Sequence, residues 1–321
     1  MMSVLDQVVT DDYAIYNSDC VDFAGTMPDN CVDFSIFSPP FSSLYTYSNS
    51  DRDMGNSNSD DEFWQHYKFL IEQQYRIHAP GRLVAIHCMN LPTLKQNDGF
   101  IGIKDFRGDL IRAYQDAGFI YHSEVCIWKD PVVAMQRTKA LGLLHKTIKK
   151  DSAMSRQGIP DYLIVMRKPG DNSRPITGEL RHFVGDELCN NFIGHKYPDG
   201  RVAQIPDKDK GATSIDIWQR YASPVWHDIN QTDTLNFREG RDSDDERHIC
   251  PLQLDVIERS LQLWSNPGDT VFTPFLGIGS EAYVSVKMSR KAIGVELKES
   301  YFKLAARNLE SAHKNQYDLF G

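Results

Sequence analysis

The sequence predicts an α/β fold with a largely parallel sheet and helices on both faces. Three observations carry this. Strand-like and helix-like segments alternate through both ends of the chain. Two of the strand-like runs stop at turns rich in proline or glycine: Cys31–Phe37 stops at Ser38-Pro39-Pro40, and Thr270–Thr273 stops at Pro274-Phe275-Leu276-Gly277-Ile278-Gly279. Between them, from Pro169 to about Arg247, the alternation lapses into a polar stretch, as an inserted region would.

In chain order, Tyr13–Asn17 reads as a strand and Asp19–Met27 as a helix stopped by the turn residues Pro28-Asp29-Asn30. Cys31–Phe37 is apolar and β-rich, a buried strand, and neither Pro39 nor Pro40 can donate to a ladder beyond it. Residues 42–60, rich in Ser, Asn, Asp and Tyr, read as a loop. Glu62–His78 has helical spacing, and Pro80-Gly81 separates it from the strand Arg82–Cys88. Leu110–Ala117 is a helix closed by Gly118, and Tyr121–Trp128 and Tyr162–Met166 are strands. After the polar stretch come an amphipathic helix (Leu252–Trp264), a turn at Asn266-Pro267-Gly268-Asp269 and the strand Thr270–Thr273. The chain then gives a helix (Ser280–Met288), a strand (Lys291–Leu297) and a last helix (Ser300–Ser311). Three regions follow: residues 1–168 as one half of a core, 169–245 as an insertion, and 246–321 as the other half.

The 321 residues suffice for a large core. No apolar run approaches the ~18 residues of a membrane span, and the acidic start MMSVLDQVVTDDY does not read as a signal peptide. The six cysteines form no CxxC pair, so neither a zinc site nor a disulfide framework is expected, and a reducing cytoplasm is the default. Of the ten histidines, His66, His78, His87, His122 and His145 show no paired spacing and read as core or surface side chains. A net charge of −9 argues against a protein that coats nucleic acid. Yet residues 129–168 carry nine Lys/Arg against three Asp, a +6 strip on a body of −15. Such a strip can meet phosphates or simply be solvated; Lys146, Lys149, Lys150 and Arg156 are its candidate contacts.

A strand, a glycine turn, a helix and a second strand ending in an acid form the recipe for an adenosine site. The glycines let backbone approach the ligand, and the acid accepts from ribose hydroxyls. Glu296 lies 19 residues after Gly277, near the ~20 expected. The pattern is not G-x-G-x-x-G, because Ala282 stands at the third position. Two glycines after Pro274-Phe275 suit S-adenosylmethionine (SAM) better than a dinucleotide.

Ser38-Pro39-Pro40-Phe41 suits a different task. An exocyclic amine on a base is a poor nucleophile, because its lone pair is delocalised into the ring. Two acceptors placed on its hydrogens free that pair, and Ser38 Oγ and the Pro39 carbonyl can be those acceptors. The prolines stiffen the loop, and Phe41 offers a face on which the base stacks. Such a base must first leave the duplex, at a cost of a few kcal/mol, and stacking offsets about 1–3 kcal/mol of it.

With both motifs in place, the chain resembles the SAM-dependent amino-methyltransferases of DNA, which act on N4 of cytosine or N6 of adenine. It looks like the subgroup with the base-binding motif first and the cofactor motif last. Ser38-Pro39-Pro40-Phe41 matches the catalytic [DNS]-P-P-[YFW], and Phe272–Ser280 resembles the family's D/S-P-F-x-G-x-G-[ST]. The lead-in Tyr16–Asp33, residues 246–258 (ERHICPLQLDVIE) and the tail around Tyr301-Phe302 are also similar, as is Tyr221-Ala222-Ser223-Pro224-Val225-Trp226 to a stretch in a subset from bacteria and their phages. The resemblance implies a Rossmann-like methyltransferase sheet in circularly permuted order with an inserted target-recognition region. It implies Ser38, Pro39, Pro40 and Phe41 as catalytic, and Asp19, Thr273, Pro274, Phe275, Gly277, Gly279, Ser280 and Glu296 as SAM-binding. Double-stranded DNA is the implied partner, with a cognate restriction endonuclease as a second. Thr273 departs from the common acid, and Ser18 from the common glycine.

A serine opening the motif leans toward N4 of cytosine, since many adenine enzymes carry Asp there. Three other readings compete. An RNA or protein-amide methyltransferase faces the same delocalised lone pair, though Asn-Pro-Pro-Tyr is commoner there. A silent SAM- or DNA-binding regulator would have lost Ser38-Pro39-Pro40-Phe41 or Glu296. A dinucleotide oxidoreductase fails on the glycine spacing.

Overall fold

A computed structural model describes residues 4–41, 54, 60–93, 99–138, 143–178, 180, 214–236 and 251–317. Most of the loop expected over 42–60 and most of the expected insertion at 169–245 lie outside these residues.

The main sheet holds nine of the eleven described strands. In chain order the strands are β1 (Asp6–Val9), β2 (Tyr13–Asn17), β3 (Val32–Phe37), β4 (His78–Met89), β5 (Leu91–Pro92), β6 (Ile103–Lys104), β7 (Ile120–Ile127), β8 (Asp161–Arg167), β9 (Val225–Trp226), β10 (Thr270–Thr273) and β11 (Lys291–Glu296). The sheet order is β1-β2-β11-β10-β3-β4-β8-β7-β9, while β5 and β6 form a separate ribbon. From β2 to β4 every pairing is parallel. Strand β8 runs antiparallel to both β4 and β7, a reversal that the alternation of segments does not encode.

Strand β3 is buried at every position, the polar Asp33 and Ser35 included. Its alternate residues feed two cores. Phe37, Val84, Ile86, Cys88 and Ile164 pack against the helices Cys20–Thr26, Asp60–Ile77 and Phe106–Asp116. Phe34, Ile36, Ala85 and Leu163 pack against Leu254–Trp264 and Ser280–Lys287. Helices therefore cover both faces, as the sequence predicts. The basic strip carries two short helices, Pro131–Thr138 and His145–Lys150, that sequence pattern alone does not separate from a loop. Pro80-Gly81 falls inside β4 rather than before it. Gly81 has φ +74°, and a Cβ there would meet the Asn172 backbone at 2.5 Å, so only glycine fits.

Strands β10 and β3 are neighbours whose chains leave in opposite directions, β10 toward β11 and β3 toward β4. A crevice forms at the carboxyl ends of such a pair. Buried ion pairing secures the opposite end. Arg82 reaches Asp269, and its Nε donates to the Asp33 carbonyl at 2.7 Å. Asp33 Oδ2 accepts from Thr270 N at 2.9 Å, locking β10 beside β3.

Candidate active site

Loops from four carboxyl ends line one cleft of about 1130 Å³, its open mouth included. After β2 come Ser18, Asp19 and Cys20, and after β3 Ser38 to Phe41. After β10 come Pro274 to Ile278, and β11 ends in Glu296. Ser38 and Gly277, about 240 residues apart in sequence, share this cleft.

Glu296 carries the geometry on one side. Its Oε2 accepts from Gly277 N at 2.7 Å and its Oε1 from Lys298 N at 2.8 Å. The carboxylate thus holds the glycine turn to the end of β11. A carboxylate oxygen can accept more than one hydrogen bond, a ligand hydroxyl's among them. Gly277 has φ +53° with no atom within 4 Å of where a Cβ would stand, so the turn leaves open space at the cleft. Gly279 has φ +91°, and a Cβ would press on Ala305 Cβ at 3.1 Å. Its role is close packing against the last helix, whose Asn308 Nδ2 donates to the Ile278 carbonyl at 2.8 Å.

Asp19 caps the first helix, its Oδ1 accepting from Val21 N and Asp22 N, both at 2.9 Å. Asn17 Nδ2 donates to the carbonyls of Glu296 and Leu297, which ties the Asp19 turn to the Glu296 turn. Two predicted residues do not line the cleft, Thr273 and Gly279. Thr273 is buried, and its Oγ1 has no hydrogen-bond partner among the described residues; the same holds for the Ser280 hydroxyl at the cleft wall. Pro251 and Leu252, within the segment likened to the family, also line the wall.

On the Ser38 side of the cleft, Phe41 stands edge-on to Phe106 with ring centroids 6.0 Å apart. Phe275 stacks on Tyr67 at 6.3 Å. Ser38 Oγ lies 2.9 Å from His87 Nδ1. His87 Nε2 lies 3.2 Å from Asp161 Oδ2, and Lys129 Nζ lies 2.6 Å from Asp161 Oδ1. Sequence spacing holds no sign of this chain of groups, because its members come from different strand ends. His87, read as a core or surface histidine, stands beside Ser38.

Glu281 was also missed. It is buried, lines the cleft from the first turn of the helix after the glycines, and burial pushes its carboxyl up to about 8. An unfolded carboxyl ionises near 4.5 while the folded one holds its proton to about 8, so the folded state binds more protons between them. Wild type is expected to lose stability relative to Glu281→Gln as pH rises from about 4.5 to 8. Parallel melting curves test this, and equal pH slopes for the two proteins would refute it. The paired comparison cancels His78, which burial pulls down to about 4 in both proteins.

Lys146, Lys149 and Lys150 are exposed on one short helix, and Arg156 is half-buried beyond it. None of the four lines the cleft.

A family model described as DNA methylase matches residues 32–307. The orphan methyltransferase M.BamHII of Bacillus amyloliquefaciens is 42% identical over 287 residues, 88% of this chain and 90% of that protein. The fold is similar to the Thermus thermophilus protein TTHA0409, described as a putative DNA modification methylase and solved with SAM. The TM-score is 0.58 at 17% identity, covering 92% of this chain and 93% of that one. It is also similar to the cytosine-N4-specific PvuII DNA methyltransferase, with TM-score 0.60 at 13% identity over 98% and 95% of the two chains.

Proposed function

We propose a function from one premise: the chain belongs to the family of SAM-dependent DNA methyltransferases that act on exocyclic amino groups. The residues present suit the cofactor. Gly277 leaves room where a side chain would fill the cleft, and Asp19 and Glu296 offer acceptors on adjoining turns. When bound, SAM supplies the electrophilic methyl group.

The finer reading is methylation of N4 of cytosine, in a base flipped into the Ser38–Phe41 side of the cleft. The observation that carries it is Ser38 at the cleft wall beside the Pro39 carbonyl and the Phe41 ring. That set supplies two acceptors for the amine and an aromatic face for the base. A duplex base cannot reach this depth without leaving its stack. The region 169–245 would read the sequence, and the strip 129–168 would position the phosphates. The orphan designation of the Bacillus relative supports a chain that works without a cognate endonuclease.

Incubation with tritium-labelled SAM and unmethylated DNA, followed by nucleoside digestion and mass spectrometry, tests the reading. The expected product is N4-methylcytosine. N6-methyladenine would overturn the choice of base, and no label in DNA would overturn the substrate.

The phosphate role has its own test. Replacing Lys146, Lys149 and Lys150 with Gln is expected to flatten the salt dependence of DNA binding, by a slope of about 0.9 for each phosphate left without its lysine. A slope unchanged from wild type would return the strip to ordinary solvated surface.

A further inference from the structure

The amine-methylation reading leaves two matters open: what makes the Ser38 hydroxyl an acceptor, and where the amine's proton goes. A serine hydroxyl can donate or accept. It helps the amine only if its own hydrogen points elsewhere.

The geometry points to His87 as the group that takes the Ser38 hydrogen and then the substrate's proton, with Asp161 and Lys129 fixing its tautomer. Register places the set together. In the antiparallel pairs, His87 faces Leu163 while Met89 and Ile127 face Asp161, so His87, Asp161 and the following Lys129 share one face of the sheet. Ser38 joins the same face two residues after Ile36. His87 Nε2 lies 3.2 Å from Asp161 Oδ2, at ion-pair distance but outside hydrogen-bond geometry. The relay puts the ring hydrogen on this nitrogen, where a small turn of the ring aims it at the carboxylate. Nδ1 is then a lone pair, and Ser38 O–H donates to it across 2.9 Å. The lone pairs of Ser38 Oγ are left for the amine.

Asp161 can fill this role because it stays ionised. Burial pushes its carboxyl up, but Lys129, then His87, outweigh that and hold it below the usual value. Other charges of the neighbourhood are committed elsewhere. On the same face, Arg259 of the helix Leu254–Trp264 binds Asp228, Asp255 accepts from Asn230 N, and Glu258 is buried on that helix. On the opposite face Arg107 pairs with Glu124 at 2.5 Å and lies over Tyr162. Across the cleft, Asp19 and Glu296 bind backbone N–H groups, and Glu281 holds its proton to about 8.

In the transfer step the amine nitrogen forms the N–CH3 bond while the S–CH3 bond breaks and its electron pair stays on sulfur. The nitrogen is now positive and sheds one hydrogen to Ser38 Oγ as the Ser38 hydrogen passes to His87 Nδ1. The imidazolium lies against Asp161 until it releases its proton to water at the cleft.

This rests on the amine-methylation reading, and the test separates the two. Single-turnover methylation is measured, with SAM affinity by calorimetry, for wild type, His87→Asn, Asp161→Asn and Asp161→Glu. Asn at 87 keeps an acceptor near Ser38 but cannot take a proton. Asn at 161 presents an N–H to Nε2 and reverses the tautomer. Both variants are expected to bind SAM as wild type does and to slow transfer by about 10²-fold or more. Asp161→Glu, which restores a carboxylate, should recover part of the rate that Asp161→Asn loses. If His87→Asn fails to fold, Lys129→Met, at the more exposed end of the relay, should slow transfer with SAM affinity unchanged. Wild-type rates in the variants, or no recovery in Asp161→Glu, overturn the relay while amine methylation stands. A wild type that methylates no DNA amine overturns the underlying reading and the relay with it.

Discussion

Replacing Ser38 with alanine is expected to lower the single-turnover rate at least ~10-fold, about 1.4 kcal/mol of barrier, with SAM affinity unchanged. The loss is placed in transfer because Ser38 lies on the β3 side of the cleft, while the turns at Gly277 and Glu296 lie on the β10 and β11 side. Alanine removes the acceptor proposed for the amine and also leaves His87 Nδ1 without its 2.9 Å partner. Phe41→Ala should act at the same stage, by removing a stacking face worth about 1–3 kcal/mol. Calorimetry and rapid-quench turnover on the same preparations check both. A variant that turns over normally, or that fails through SAM binding, would remove Ser38 from the role given to it.

The two motifs were legible because each is local. Strand, turn and residue types sit within a short stretch of chain, and the glycine spacing reports a backbone that must pass φ > 0 at Gly277 and Gly279. The Glu296 separation was legible for the same reason, since one helix and one strand fix it. What was not legible is what the sheet assembles from distant strand ends. His87 Nδ1 meets Ser38 across 49 residues, and Asp161 arrives on a strand whose reversed direction no periodicity reports. The role of Gly279 was legible only in part. A glycine is needed there, but for its fit against Ala305 in the last helix rather than for contact with the cleft. Glu281 escaped notice because a charged residue in a helix's first turn is ordinarily solvated, and only packing reveals that this one is buried.

The stretch Tyr221–Trp226, whose similarity to relatives carried no role, acquires one from packing. Val225 and Trp226 extend the sheet as β9, parallel to β7, with Trp128 N donating to the Trp226 carbonyl at 2.9 Å. Trp226 is 1% exposed, and its Nε1 donates to the Tyr221 carbonyl at 3.0 Å. Arg259, from the helix Leu254–Trp264, is fully buried with its guanidinium 5.0 Å from the Tyr221 ring and 5.4 Å from that of Trp226. It grips Asp228 with two bonds, 2.7 and 3.1 Å, and Arg220 reaches the same carboxylate. Burial pushes the Asp228 carboxyl up, yet Arg259 and then Arg220 outweigh it and hold the group ionised. Asp228→Ala strands two arginines, one of them wholly buried, and is expected to cost about 3–5 kcal/mol. Replacing Arg220, Asp228 and Arg259 together by apolar residues of similar volume should recover most of that, because no buried charge is then left alone. Denaturant unfolding of the single and triple variants decides the matter. A single variant within about 1 kcal/mol of wild type would mean that β9 is held by Trp226 burial and backbone pairing, with the ion cluster contributing little.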